Sequence, residues 1–516
     1  MTIWFDVEGL VHYFRSGNKR ISGIQRLSFE IFRGAKALED APEIRFIRHG
    51  ARPPSLLPVE WSDLVADFGS DEVHSAPASS APCPTSPVVN GAALEPADEP
   101  APERSWPRRV ARRAADRLPP EVRRPLVLAS VMQVQVVGAL AAFGVNLAIQ
   151  PARRAYAGSR TLASDLAWRA RRRSHTLRPG TESFEDLAQP GDTLLVLGAP
   201  WNRERYSDIA RWLRDERRLR FGVLVHDLVP IRHPEWCYRG VPRAFREWYS
   251  DVLPFCDVVF ANSRHTARDV EAYARESGIV LNGPVQTLPI GTGFGAGSDA
   301  PEPVPGRLPE PGSYVLFVST LEARKNHALA VRIWSLLLNE VAAGRRPPES
   351  VPDLVFAGRI GWLVADLLAQ LNNTEWLGGR VRFVRDPTDA ELRALYAGSL
   401  FTLFPSLHEG WGLPVTESLA LGKPCLCSSA ASLPEAGGAL CRYFDPESLG
   451  SAYAAVQAVL DDRSGLARWE AQVRSEFRPV PWTETAHALL DAVGRLEQGA
   501  VLRGDIRKSQ GATTKE

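Results

Sequence analysis

The densest chemistry in the chain lies in Phe404-Pro405-Ser406-Leu407-His408-Glu409-Gly410-Trp411-Gly412-Leu413-Pro414-Val415-Thr416-Glu417. The run to Pro405 reads as the end of a strand. A glycine-containing loop follows, and the next helix is expected to open on Pro414 at its first position, where a missing N–H costs little. Such a loop points backbone amides at whatever sits beside the helix N-terminus, and amides plus helix dipole favour an anion such as a diphosphate. Glu409 in the loop and Glu417 one turn into the helix would accept hydrogen bonds from sugar and ribose hydroxyls. The amides of Gly410, Trp411, Gly412 and Leu413 would hold phosphates between them. A surface loop followed by an exposed helical glutamate is the plainer reading of either glutamate alone.

A second string, Ser319-Thr320-Leu321-Glu322-Ala323-Arg324-Lys325-Asn326-His327, follows an apolar run from Tyr314. Arg324 and Lys325 fall where strand gives way to helix, and cations there can neutralise the charge that grows on a departing diphosphate. Standing alone, this is a solvated basic turn. Three weaker signals share the strand-end position. Gly23-Ile24-Gln25-Arg26 would let Gly23 bring backbone close to a phosphate. His226-Asp227 ends the Phe221 strand: His226 could contact a sugar or an acceptor and Asp227 could activate an acceptor hydroxyl, or His226 is a structural histidine. Arg359 and the group Asn262, Ser263 and Thr266 also lie at strand-to-helix junctions, with helix capping the simpler role for Ser263.

These residues need a scaffold that gathers strand ends. The first half reads as strands at Ile3–Val7, Ile44–Ile47, Thr193–Leu197, Phe221–Val225, Asp257–Ala261 and Val285–Ile290, with a loop after the first and then a helix through Ala37. The second half alternates more cleanly, with strands at Tyr314–Val318, Leu354–Ala357, Val381–Val384, Phe401–Phe404 and Pro424–Cys427 separated by helices. Alternation of this kind predicts parallel sheets covered by helices on both faces, with ligands outside the strands' carboxyl ends. The predicted organisation is an α/β chain with one Rossmann-like domain over 1–292 and a second over 293–480. A helix over 481–500 is expected to cross back, and 501–516 is a polar tail.

The first domain carries an insertion at about 74–180. Residues 74–107 are rich in Pro, Ala and Ser and too poor in large aliphatics to form a core. Residues 108–173 hold many arginines around an uncharged stretch, 125–150, which is long enough to span a membrane. Its Gln, Gly and Asn residues and the arginines on both flanks leave three readings open: an interfacial helix on anionic lipid, a helical hairpin packed on the body, or a true span.

Composition excludes less. With 516 residues, 44% hydrophobic and 23% charged, the chain is long enough for two or three domains. A net charge of +1 gives no reason to expect nucleic acid as a partner. The N-terminus lacks a signal-peptide pattern and the six cysteines include no CxxC, which fits a reducing cytoplasm. Cys425 and Cys427 share one face of a strand, as small core residues or, less simply, as metal or redox groups. The chain has no GxxxxGK[ST], HExxH or GxSxG, no GxGxxG opening a helix, and no acidic cluster at divalent-metal spacing.

Taken together, FPSLHEGWGLPVTESLALGKP, STLEARKNH, ANSRHTARDV, LPIGTGF and SAASLPEAGG (Ser429 to Gly438) resemble the retaining glycosyltransferases of family 4, which have the GT-B fold of two facing Rossmann-like domains. The resemblance covers about 1–70 and 185–495. SGIQR and HDLVPIRHPE are similar to a branch common in bacterial surface-polysaccharide assembly, often mannosyltransferases. The resemblance implies that Glu409 contacts the donor sugar, Glu417 the ribose, Arg324 with Lys325 the diphosphate, Gly23 the phosphates from across the cleft, and His226 the transferred sugar. It implies front-face displacement with retention, no cofactor and no metal, a nucleotide-diphosphate sugar as donor (GDP-mannose first), and a glycan or lipid-linked glycan as acceptor. The cysteines and the N-terminus point to a cytoplasmic protein, and the arginine-flanked insertion points to one peripheral at the inner face of the membrane, with 108–173 on anionic lipid. Ser319-Thr320 stand where many members carry Gly-Arg, which shifts phosphate binding onto Arg324, Lys325 or Arg359. Trp411 replaces a commoner Phe. A nucleotide-sugar epimerase of the same architecture and a non-catalytic scaffold subunit remain as alternatives.

Overall fold

A computed structural model describes residues 1–15, 23–50, 54–68, 183–199, 201, 206–293 and 306–496. The expected insertion at 74–180, including the arginine-flanked 108–173, lies outside the described residues, as do 294–305 of the second linker and the tail at 501–516. Among the described residues no helix is long and apolar enough to cross a membrane.

The first sheet holds β1 (Thr2–Asp6), β2 (Glu43–His49), β3 (Leu56–Val59), β4 (Thr193–Val196), β5 (Arg220–Val225), β6 (Val258–Ala261) and β7 (Gln286–Thr287) in the order β3-β2-β1-β4-β5-β6-β7. All neighbours are parallel except β2 and β3. The central strands are continuous apolar runs (β1 and β4 are buried throughout), as a sheet covered on both faces requires. β1 pairs with β4 from Ile3↔Thr193 onward although the insertion separates them in sequence.

The second sheet holds β8 (Tyr314–Val318), β9 (Asp353–Gly358), β10 (Val381–Arg385), β11 (Thr402–Phe404), β12 (Cys425–Ser428) and β13 (Arg442–Phe444), wholly parallel, in the order β10-β9-β8-β11-β12-β13. The chain steps outward from β8 to β10, returns, and steps the other way from β11. The crevice of a doubly wound sheet opens at such a reversal, and the loops flanking it here are those after β8 and β11. The helix His327–Ala342 shows why cover and strand alternate: Leu329, Ala330, Ile333, Trp334 and Leu337 fall on one face at helical spacing and are buried against the sheet. The two-sheet α/β architecture expected from the alternation is therefore the one observed.

Several elements differ from the sequence reading. The stretch after β1, expected as a loop, is a helix, Glu8–Arg15, entered through the Glu8 amide donating to Asp6 Oδ1 at 2.7 Å. The Leu56–Val59 edge strand carries Pro58, which masked it. The helix Arg463–Glu476 and the strand β13 went unpredicted, and the expected strand at Val285–Ile290 shrinks to Gln286–Thr287. The helix after the β11 loop begins at Leu413, so Pro414 is its second residue and not its first.

Both sheets lie in one compact unit. The final helix, 482–496, buries Ala486, Leu489 and Val493. It is anchored on the N-terminal half, where Thr292 N donates to Val480 O at 2.9 Å. A Cβ on Gly34 would come within 2.7 Å of the Trp482 carbonyl oxygen, a backbone atom that cannot step aside alone. Gly34→Ala is accordingly expected to lower stability by about 1–3 kcal/mol. Thermal denaturation checks this, and an unchanged midpoint would mean that the last helix is not seated there.

Candidate functional site

The loops after β8 and β11 meet at one buried carboxylate. After β8 the chain turns through Ala323–Lys325 and leaves by Asn326 in a left-handed conformation, φ 62°. That turn aims two consecutive cations the same way. Lys325 Nζ lies 2.5 Å from Glu409 Oε1 and Arg324 Nη1 lies 2.7 Å from Oε2. Arg324 also donates to the His408 carbonyl at 2.6 Å and to Glu322 Oε1 at 2.7 Å. Two cations therefore face two carboxylates. Burial alone would raise the Glu409 carboxyl, but Arg324 and Lys325 reverse that and hold it at about 2. Glu409 and Glu322 push the Arg324 guanidinium up against its burial, with Asp227 contributing from the N-terminal half.

The β11 loop is pinned by hydroxyls. Ser428 Oγ donates to Ser406 O at 2.6 Å, and Ser432 Oγ lies 2.8 Å from Glu409 O and 3.0 Å from Trp411 O. Leu407 N donates to Arg324 O at 2.9 Å, tying the two loops together. Gly412, at φ 109°, makes the left-handed entry into the helix Leu413–Ala420 that a side chain would oppose. Among the described residues the amides of Gly410, Trp411 and Gly412 make no backbone hydrogen bond, so three donors beside a helix N-terminus remain to be satisfied.

Glu417 is buried one turn further on. Tyr396 Oη donates to its Oε2 at 2.9 Å, and Arg26 of the N-terminal half lies 4.0 Å from its Oε1. Arg26 pairs more closely with Asp389, at 2.5 Å. Burial raises the Glu417 carboxyl more than Arg26 lowers it. Sequence reasoning quoted Arg26 within its motif but gave it no role; nothing local marks it as the residue that reaches the second half.

The remaining candidates divide. The His226 ring nitrogen Nε2 is 2.8 Å from Leu197 O, so Nε2 is assigned the proton, and burial keeps the imidazole below its ordinary value and neutral. Its carbonyl oxygen abuts the β11 loop: a Cβ on Gly410 would stand 1.8 Å from it, so only glycine fits. Thr266 Oγ1 bridges the same two segments, 3.4 Å from His226 O and 3.3 Å from Gly410 O. Asp227 Oδ1 accepts from Val229 N at 3.1 Å. Ser263 caps its helix as expected, accepting from Thr266 N at 3.0 Å. Arg359 pairs with Asp386 at 2.7 Å and donates to Tyr13 Oη at 2.7 Å, bridging to the helix after β1. Gly23, exposed at φ 54°, opens the helix Ile24–Ala37 with nothing near its Cβ position. Ser319, at the expected Gly-Arg position, lies 3.1 Å from His327 Nε2.

Among the described residues two groups of side chains of metal-ligating type also come together. Cys441 joins Cys425 and Cys427 in a buried trio of thiols, and His265, Asp269 and His408 converge where the two halves touch. The sequence reading singled out neither His265 nor Asp269, and His408 joins them through tertiary structure.

The fold is a pair of Rossmann-like sheets, and the candidate site is a glycine-containing loop at the switch point of the second. Residues 301–475 match the family model described as Glycosyl transferases group 1, and the second half of the chain is a domain of that family. Among curated relatives, the serotype-specific mannosyltransferase WbdA of Escherichia coli is 29% identical over 280 residues, covering 52% of this chain and 32% of its own. The O-antigen chain mannosyltransferase B of Escherichia coli is 33% identical over 179 residues, covering 35% of this chain and 45% of its own. The chain thus spans less than half the length of either relative. The crystal structure of TarM aligns over 59% of this chain and 54% of its own at 11% identity and a TM-score of 0.42.

The Glu409 cluster makes a pH signature. Its carboxyl falls from the ordinary 4.5 to about 2 on folding, worth about 3 kcal/mol. A depressed carboxyl contributes stability that is complete above the unfolded value and lost as pH falls through the folded one. The stability advantage of wild type over Glu409→Gln should therefore be level above pH ~5 and shrink toward pH ~2. Denaturant unfolding across that range measures it; a difference independent of pH would show that Glu409 is not held ionised by its partners.

Proposed function

We propose that the protein is a retaining glycosyltransferase of family 4 that moves a hexose, mannose from GDP-mannose in the first instance, onto a glycan or lipid-linked glycan during surface-polysaccharide synthesis. The observation that carries this reading is the buried Glu409 clamped by Arg324 and Lys325, beside three amides at the switch point of a group 1 domain. The two mannosyltransferase relatives support the sugar and the pathway class.

In this reading the amides of Gly410, Trp411 and Gly412 with Arg324 and Lys325 take the diphosphate, Glu417 the ribose hydroxyls and Glu409 the sugar hydroxyls. The bond from the anomeric carbon to the diphosphate oxygen breaks as the acceptor oxygen bonds to the same face of that carbon. The acceptor proton passes to the departing phosphate. The cations stabilise charge on that oxygen. His226, neutral and buried, offers a polar wall and not a cation. Arg359 and Gly23 belong to the rim of the donor site, and Asp227 adds negative potential near Arg324.

Incubation with labelled GDP-mannose and a mannosylated acceptor should give free GDP and extended acceptor with the anomeric configuration kept. Glu409→Gln and Lys325→Ala should each lower kcat by about a hundredfold to a thousandfold. An epimerised nucleotide sugar with no GDP released would replace this reading with an isomerase. Variants that complement as well as wild type would replace it with a scaffold.

The same proposal places the protein at the inner face of the cytoplasmic membrane through the arginine-rich, apolar 108–173. Deleting those residues should abolish sedimentation with anionic vesicles. Undiminished binding by the deletion protein would overturn the membrane assignment and leave the transferase reading intact.

A further inference from the structure

Where the halves meet, the helix Arg264–Glu276 presents His265 and Asp269 one turn apart to His408 of the β11 loop. Asp269 Oδ2 lies 3.5 Å from His265 Nε2 and 3.8 Å from His408 Nε2. The donor atoms of all three residues lie within 4.8 Å of one another. Donors bound at about 2.0–2.1 Å to one tetrahedral ion stand about 3.4 Å apart, so small side-chain movements would close this set on a cation.

A second observation points to a ligand. His408 is 8% exposed, and its Nδ1 is buried without a hydrogen-bond partner among the described residues. Its Nε2 sits beyond hydrogen-bond reach of Asp269. A buried ring nitrogen without a partner is costly unless something else binds it. His233 is the nearest further imidazole, its ring centroid 5.3 Å from that of His408.

We propose that His265, Asp269 and His408 form a site for a borderline divalent transition ion of the zinc class, which clasps the β11 loop to the N-terminal half. Two imidazoles with one carboxylate suit zinc or cobalt better than magnesium or calcium, which prefer all-oxygen sites. The position gives the ion a structural task. His408 directly precedes Glu409, and its carbonyl accepts from Arg324, so an ion on its ring fixes the segment that carries the clamped carboxylate. The other two ligands belong to the opposite half, so the set is complete only when the halves are together.

The test uses the full chain stripped by a chelator and titrated with cobalt(II), followed by visible absorption and displaced by zinc. Wild type should bind one ion with the bands of tetrahedral cobalt, and zinc should raise its melting temperature. His265→Gln and Asp269→Asn should each weaken binding at least about a hundredfold and lose the zinc-dependent rise. Both side chains are partly exposed, at 30% and 22%, so their metal-free melting temperatures should match that of stripped wild type and certify the fold. Cys427→Ser serves as the control for the thiol trio and should bind as wild type does. No binding by wild type, undiminished binding by both variants, or loss of the bands in Cys427→Ser would overturn the assignment.

Discussion

A carboxylate buried between two cations sets the terms for the second half of the chain. An ionised Glu409 at 6% exposure would cost several kcal/mol in isolation, and the cost is offset only if both partners arrive in place. Arg324 and Lys325 come from the turn after β8, and Glu409 from the loop after β11, far apart in sequence. They meet because β8 and β11 are neighbours, with Thr402 opposite Leu316 at the point where strand order reverses. The topology is thus a condition of the charge pairing, and the pairing in turn fixes both loops. The second carboxylate, Glu322, completes the balance, so four charged groups occupy one buried site with no net charge.

The junction between the halves follows from the same loop. Gly410 gives up a side chain so that the His226 carbonyl can approach, and Thr266 bridges the two segments. Nearby, Glu435 of the second half accepts from the Arg264 and His265 amides at 2.9 and 2.8 Å, capping a helix of the first half from across the junction. A carboxylate at a helix N-terminus is favoured by the unsatisfied amides and by the dipole. The contact at this point therefore uses the complementary charge of a helix end.

Local and non-local features differed in how legible they were. The strand-to-loop-to-helix course of 404–417 was readable because its glycines and Pro414 leave few other backbone paths, and the alternation of apolar runs pointed to two sheets, though not to the antiparallel edge strand of the first. The helix Glu8–Arg15 escaped because Gly9 weakens its propensity and its entry depends on Asp6 as a side-chain acceptor. Roles were readable only as residue types. Sequence placed Glu409 on a sugar and Arg324 with Lys325 on phosphate, while the structure has the three bound to one another. The partners of His408 and Arg26 could not be inferred, since each lies on the opposite half.

Arg26 shows how the contact between the halves reaches the second buried carboxylate. Its guanidinium sits 2.5 Å from Asp389 but 4.0 Å from Glu417, so Asp389 holds it and Glu417 feels it mainly as field. That field offsets part of the desolvation that raises the Glu417 carboxyl, while Tyr396 fixes one oxygen. If the halves parted, Glu417 would lose its only cation among the causes acting on it and would more readily take a proton. A protonated carboxyl accepts hydroxyl donors less well than a carboxylate. The charge on Glu417 therefore depends on the N-terminal half being in place.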